Sequence, residues 1–182
     1  YEIPLRLVGS EMCIRDSSDT LCDEFMRGAM ESGNEVEKIF LRDKIINYCT
    51  GCSTCSRYNK PCPQKDDTAE ILEKMIRADV IVMATPVYFY TMSAQMKTLI
   101  DRCCGRYTEM GNKEFYFIAT AAEGDRKLME RTIDTFQGFL DCLENPVIKG
   151  VVYGAGVWHT GEINDKPAMR EAYEMGRHCL ES

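Results

Sequence analysis

The sequence predicts an α/β three-layer sandwich, a five-stranded parallel sheet with helices on both faces. Three observations predict it. Strand-like and helix-like segments alternate along the whole chain, the pattern that parallel βαβ crossovers require. Two of the strand-like runs, "DVIVMATP" and "KEFYFIAT", are apolar at nearly every position, as strands buried on both faces are. The 182 residues, 45% hydrophobic and 28% charged, suffice for one sizeable core and not for two, so residues 1–182 read as a single domain.

The opening "YEIPLRLVGS" occupies the place of the first strand, although Arg6 interrupts it. In "DTLCDEFMRGAMES" the residues Leu21, Phe25, Met26 and Ala29 recur at helical spacing, and Gly33 with Asn34 supplies the stop. "EVEKIFL" lies between that helix end and a charged loop and reads as a short strand, its alternation through Val36, Lys38 and Phe40 being imperfect. A cysteine-rich insert at 47–66 follows as irregular chain. In "DDTAEILEKMIRA" Asp67 is placed to cap a helix and Glu70 to close a capping box, with Ile71, Leu72, Met75 and Ile76 as the apolar stripe. Pro86 ends the strand "DVIVMATP". "SAQMKTLIDRCC" puts Met96, Leu99, Ile100 and Cys103 on one helical face, and "KLMERTIDTFQGFLDCL" does the same with Met129, Ile133, Phe136 and Leu140. "PVIKGVVYGAG" is the last strand, and "KPAMREAYEMGRHCL" the last helix, with Pro167 near its first turn. Five strands and five helices in this order fit a flavodoxin-like fold, whose ligands sit beyond the carboxyl ends of the strands. Function is therefore sought in the loop after the first strand, in "TPVYFYTMS" and in "TAAEGD".

A net charge of −7 weighs against nucleic acid and anionic membrane as partners. No apolar run approaches the ~20 residues of a membrane span, and the start lacks a signal-peptide pattern, so a cytoplasmic location is expected. Of ten cysteines, four fall between Cys49 and Cys62, which suits thiolate ligation in a reducing compartment better than a disulfide framework. Cys13, Cys22, Cys103, Cys104, Cys142 and Cys179 are expected to be buried small hydrophobes.

The motif Cys49-x2-Cys52-x2-Cys55-x6-Cys62, followed by Pro63, lets three thiolates converge from one turn of chain while a short loop returns a fourth. That is the donor set of a 4Fe–4S cluster. Zinc fits less well, because structural zinc sites usually pair two separated two-cysteine knuckles. In the loop after the third strand Pro86 fixes the backbone, and Tyr88, Phe89 and Tyr90 offer walls for a flat heteroaromatic ligand whose edge the amides near Val87 and Tyr88 would meet. A simple aromatic cap on the core accounts for the same residues equally well. Trp158 and His159 after the last strand, His178, and Glu123 with Gly124 read first as surface.

"TPVYFYTMSAQMKTLIDRC" resembles the flavin-contacting loop and following helix of the FMN-dependent NAD(P)H reductase family. "FLRDKIINYCTGCSTC" with "QKDD" resembles that family's cysteine-bearing segment, and "VYGAGVWHTGEI" its C-terminal end, so the likeness runs from about Asp19 onward. The cysteine spacing is similar to the compact motif of the iron–sulfur flavoproteins within it. The resemblance implies FMN, with Thr85, Pro86, Val87, Tyr88 and Phe89 beside the isoalloxazine and Thr120, Ala121 and Ala122 on the third loop. It also implies a 4Fe–4S cluster on Cys49, Cys52, Cys55 and Cys62, NAD(P)H as a donor, a small-molecule or protein redox partner, and a homodimer or homotetramer. No side chain is needed as acid or base in a hydride step, so no catalytic residue is assigned. Two other functions remain open: a cluster-free NAD(P)H-dependent FMN, quinone or nitro reductase, and a non-catalytic zinc or redox-sensing module.

In that family the first loop is of the type Gly-Ser-Pro-Arg, a polar spacer, then Asn-Ser or Asn-Thr, and it holds the FMN phosphate with amides and hydroxyls. Ser10 and Ser18 match its hydroxyls here. Glu11 and Met12 stand where proline and arginine belong, Cys13 and Ile14 are apolar, and Arg15 is a substitute donor. "VGSEMCIRDS" resembles translated adaptor sequence, and the chain begins without methionine, so residues 1–17 are expected to be non-native. The rival expectation is a divergent, functional loop.

Overall fold

Alternation along the central strands divides the core into two halves. In the computed structural model of the chain, residues 4–9 and 17–180 are described, and of the side chains in the first strand that of Leu5. Strands β1 (Pro4–Gly9), β2 (Glu35–Phe40), β3 (Val80–Pro86), β4 (Glu114–Ala121) and β5 (Val147–Ala155) pair in parallel in the order β2-β1-β3-β4-β5. Val80, Val82 and Ala84 of β3, with Tyr116 and Ile118 of β4, point to one face. Ile81 and Met83, with Phe115 and Phe117, point to the other. The period of two that puts neighbours on opposite faces is thus visible where every residue is apolar.

Helices α1 (Ser17–Glu31) and α6 (Pro167–Arg177) cover the first face through Leu21, Phe25 and Ala172. α3 (Thr68–Arg77), α4 (Ala94–Arg102) and α5 (Arg126–Leu140) cover the second through Ile71, Met75, Met96, Leu99, Phe136 and Leu140. α1 and α6 touch backbone to backbone, since a Cβ on Gly176 would lie 2.0 Å from the Phe25 carbonyl oxygen and one on Gly28 2.2 Å from that of Tyr173. Lys113 is buried and donates to the Ile76 and Ala78 carbonyls at 2.7 and 2.6 Å, closing the C-terminal end of α3.

Three expectations are corrected. The capping box on α3 does not form. Asp67 has helical rather than extended backbone angles (φ −72°, ψ −5°), and its carboxylate accepts the Ile45 amide at 2.7 Å instead of one from the helix. Asp66 takes over by accepting the Thr68 amide at 3.1 Å, while Glu70 pairs with Lys74 at 2.7 Å. The cysteine segment is not wholly irregular, because Thr54–Tyr58 forms a five-residue helix, α2. Cys22, Cys103 and Cys179 are buried as expected, but Cys104 and Cys142 are exposed. Cys13, Ser10 and the rest of the loop 10–16 lie outside the described residues, as does most of the stretch expected to be non-native.

The strand order reverses between β1 and β3, the switch point at which doubly wound sheets open a crevice. Among the described residues no helix is long and apolar enough to cross a membrane.

Candidate functional site

Thr120, the last residue but one of β4, is where three carboxyl-edge loops meet. Its hydroxyl lies 2.6 Å from that of Ser18 at the start of α1, and its carbonyl accepts the Val87 amide from the loop after β3 at 2.8 Å. Both hydroxyls are buried. One of the pair donates to the other, which leaves a single proton for a further acceptor. Ser17, one residue earlier, is fully buried, and its Oγ makes no hydrogen bond to any described residue. A buried hydroxyl ordinarily has a partner. At the first residue of a 15-residue helix, where amides and the helix dipole favour negative charge, an anion suits that position. Lys38 offsets the acidic residues of this turn by pairing with Asp19, and with Asp23 at 2.6 Å.

The loop after β3 is a stapled hairpin. The Ser93 amide donates to the Thr85 hydroxyl at 2.9 Å, so the ends of the loop are tied, and Ser93 then caps α4 by accepting the Met96 amide at 3.3 Å. Tyr88 and Thr91 exchange two backbone hydrogen bonds, 2.9 and 3.0 Å. The amides of Val87 and Tyr88, expected to meet a ligand edge, are therefore already engaged. Those of Phe89 and Tyr90 make no hydrogen bond to a described residue. Phe89 and Tyr90 form the centre of the turn with φ of +50° and +62°, the left-handed region that two-residue hairpins use and that bulky residues avoid. Phe89 is 99% exposed, while the Tyr90 ring lies 5.4 Å from the Arg131 guanidinium. Of the five residues expected beside a flavin ring, Thr85 and Pro86 are buried, Val87 and Tyr88 half-buried, and Phe89 stands in solvent. Because Phe89 packs against nothing, Phe89→Asn should raise stability by about 1 kcal/mol through relief of the left-handed strain, measured by urea unfolding. A fall in stability would show that the ring is anchored in the folded chain.

The loops after β4 and β5 brace one another. Val157 and Gly156 donate to the carbonyls of Ala121 and Glu123 at 3.0 and 2.8 Å. Ala121 is buried and Ala122 half-buried, so these two shape the edge by backbone rather than by side chain. Trp158 is 70% exposed, and its amide and that of His159 donate to Glu162 at 2.6 and 3.0 Å.

The cysteine segment closes at a neck built on one buried ion pair. Arg102, at the end of α4, donates to Asp66 at 2.6 and 3.2 Å and to the Asn47 carbonyl at 2.7 Å, while the Asn47 amide donates to Asp66 at 3.0 Å. Both side chains are almost wholly enclosed, 3% and 1% exposed. Burial pushes the Asp66 carboxyl up, but the hydrogen bonds from Arg102, Asn47 and Thr68 outweigh it and hold the group well below the usual carboxylate range. Within the loop Cys49 and Cys52 are exposed, and Cys55 and Cys62 half-buried. Cys62 Sγ accepts from Arg102 at 3.5 Å. The Thr54 hydroxyl, 3.3 Å from Cys52 Sγ, and then the Thr54 amide lower the Cys52 thiol below its ordinary value. The donor chemistry fits an iron–sulfur cluster. Among the described residues, however, no three His, Cys, Asp or Glu side chains are gathered into a group able to hold a metal.

The family model for NADPH-dependent FMN reductase matches residues 7–160. The chain belongs to the NADPH-dependent FMN reductase family. Within this family's reach, an iron–sulfur flavoprotein of Archaeoglobus fulgidus is 46% identical over 166 residues, covering 82% of this chain and 80% of the relative. A second iron–sulfur flavoprotein of that organism is 41% identical over 86 residues, and there the match spans 47% of this chain and 39% of the relative. The NAD(P)H:quinone oxidoreductase structure from Methanothermobacter marburgensis superimposes with a TM-score of 0.76 at 15% identity, over 100% of this chain and 98% of that one, which establishes the flavodoxin-like α/β fold.

Two functional candidates in this FMN reductase-family chain escape a reading of the sequence. Ser17 lies inside the stretch expected to be non-native, and only its burial singles it out. Arg102 reads as a basic residue in a last turn, favourable to the helix dipole. Its partner 36 positions away is a matter of packing.

Proposed function

We propose that the chain is an FMN-dependent oxidoreductase of the iron–sulfur flavoprotein type, working in the cytoplasm as a homodimer or homotetramer. It takes electrons from NAD(P)H or another reduced donor and passes them to a small-molecule or protein acceptor. The observation that carries this reading is the meeting of three loops on Thr120 at the switch point, beside a buried Ser17 hydroxyl without a partner among the described residues. FMN when bound supplies exchange between two-electron hydride and one-electron chemistry, and a 4Fe–4S cluster supplies one-electron transfer.

On this reading Ser17 and the first amides of α1 hold the phosphate, together with the hydroxyl proton left by the Ser18–Thr120 pair. Thr85 keeps the loop after β3 closed so that Tyr88 forms a fixed wall and the free amides of Phe89 and Tyr90 face a ring edge. Cys49, Cys52, Cys55 and Cys62 hold the cluster. The neck at Arg102 and Asp66 fixes both ends of the segment that carries them.

The test is the visible spectrum of anaerobically purified protein, with flavin, iron and sulfide counted. Flavin bands over a broad absorbance that bleaches on reduction are expected. Cys52→Ser should then lose the iron and keep the flavin. Flavin without iron would leave a cluster-free reductase, and a colourless protein containing zinc would overturn both.

A further inference from the structure

Lys38 breaks the pattern of β2 on the side where that strand should be apolar. Val36 packs against the core on the face that α1 covers, and a residue two positions further along a strand shares that face. Lys38 is that residue, with its side chain only 11% exposed. Its ammonium donates to the Asp19 carbonyl at 3.2 Å and to the Asp23 carboxylate at 2.6 Å. It also meets the Asp19 carboxylate and lies 4.7 Å from the centre of the Phe40 ring. Burial pushes the ammonium towards its neutral form, but the hydrogen bonds with Asp19 and Asp23 outweigh it and keep the charge.

Asp19 follows directly on Ser17 and Ser18, in the first turn of a 15-residue helix whose Ser17 hydroxyl is buried and has no partner among the described residues. A carboxylate there competes with a bound anion, because both are drawn to the helix N-terminus and each repels the other. Asp19 is 22% exposed, so water screens it little, whereas Asp23 at 63% is largely screened. The next acidic residue, Glu24, pairs with Arg27 at 2.6 Å. The charge of Lys38 therefore decides whether this turn offers an anion its amides alone, or its amides beside an uncompensated carboxylate.

We propose that Lys38 makes the chain selective for a flavin that carries a terminal phosphate over the same flavin without one, by neutralising Asp19 in the turn that takes the phosphate. The inference rests on the reading of the first turn of α1 as a phosphate site. Lys38 is a positioning residue, acting through Asp19. The ring is met by the loops after β3 and β4, so loss of Lys38 weakens FMN and spares riboflavin.

The full chain, freed of flavin, is titrated with FMN and with riboflavin, and the change in flavin fluorescence gives the two affinities. Wild type should prefer FMN. Lys38→Met should cut that preference about tenfold or more, through FMN alone, the factor expected of one carboxylate left uncompensated within a helical turn of a phosphate. Lys38→Arg keeps the charge and should keep most of the preference. Adding Asp19→Asn to Lys38→Met should restore most of it, and adding Asp23→Asn should restore little. An equal loss of both flavins, or a loss that Asp19→Asn does not restore, would show that Lys38 only clamps α1 to β2 and overturns the proposal. Should Lys38→Met not fold, Asp19→Asn alone, which removes the carboxylate and keeps the ammonium, should raise the preference above wild type. An unchanged or lower preference in that variant overturns the proposal. A wild-type chain that binds both flavins equally refutes the phosphate reading and the proposal together, whereas the results with the variants strike the proposal alone.

Discussion

Replacing Arg102 by methionine is expected to cost about 3–5 kcal/mol of stability, because it leaves the Asp66 carboxylate buried without its partner. The size follows from the enclosure of both side chains and from the number of groups that converge on them. Asp66 accepts two bonds from Arg102, two from Asn47 and one from Thr68, and Arg102 also donates to the Asn47 carbonyl. Arg102→Lys keeps the charge and loses the two-pronged geometry, so it should fall between wild type and Arg102→Met. The pH dependence has a definite sign. The Asp66 carboxyl is held below its ordinary range in the folded chain, so its contribution is complete above that range and is lost as pH falls through the lowered native value. Urea unfolding of wild type and Asp66→Asn should therefore differ most near neutrality and converge in acid. A difference that stayed constant with pH would show that the ionised carboxylate is not what stabilises the neck. Protease cleavage within 47–66 should rise in Arg102→Met before the rest of the chain opens.

Gly176→Ala is expected to destabilise by about 3 kcal/mol and to lower Tm by roughly 6–12 °C. The added carbon would sit 2.0 Å from the Phe25 carbonyl oxygen, and neither helix backbone can rotate out of the way as a side chain would. Gly28→Ala meets the reciprocal obstacle at the Tyr173 carbonyl. Separating α6 from α1 also disturbs the first turn of α1, which carries Ser17 and Ser18. Gly138→Ala is the control: nothing lies within 4 Å of the added carbon, and on a helix it should gain up to about 1 kcal/mol. If Gly176→Ala were as well tolerated as Gly138→Ala, the two helices would not be in backbone contact.

The two predictions concern features that the sequence hides in different ways. Gly28 and Gly176 read as weak points in their helices, since glycine in a helix interior costs roughly 1 kcal/mol. Only the approach of α1 to α6 shows that no other residue fits. Asp67 followed by Glu70 reads as a capping box, yet Asp67 turns to Ile45 because closing the neck of the cysteine segment satisfies a backbone amide from outside the helix. Local chemistry proposed a partner, and a more distant one won. At the candidate site, the resemblance places Ser18 and Thr120 each beside a cofactor, but nothing in the sequence pairs them with one another across 102 positions. The amides of Val87 and Tyr88 are engaged within the chain, the first by the Thr120 carbonyl of β4 and the second by a two-residue turn that a stretch of three aromatics does not announce, since such residues rarely accept positive φ.

The sequence by itself determined the order of strands and helices along the chain, the two-sided burial of β3 and β4, the loops that follow the strands, and the cysteine motif. These rest on periodicity, on turn residues and on local spacing, all carried by residues near one another in the chain. Tertiary structure alone decided that Thr120 joins three loops and that Arg102 closes the cysteine segment. Each is a contact between residues from 33 to 102 positions apart, made by the packing of whole elements, and a one-dimensional pattern does not encode which distant pair is brought together.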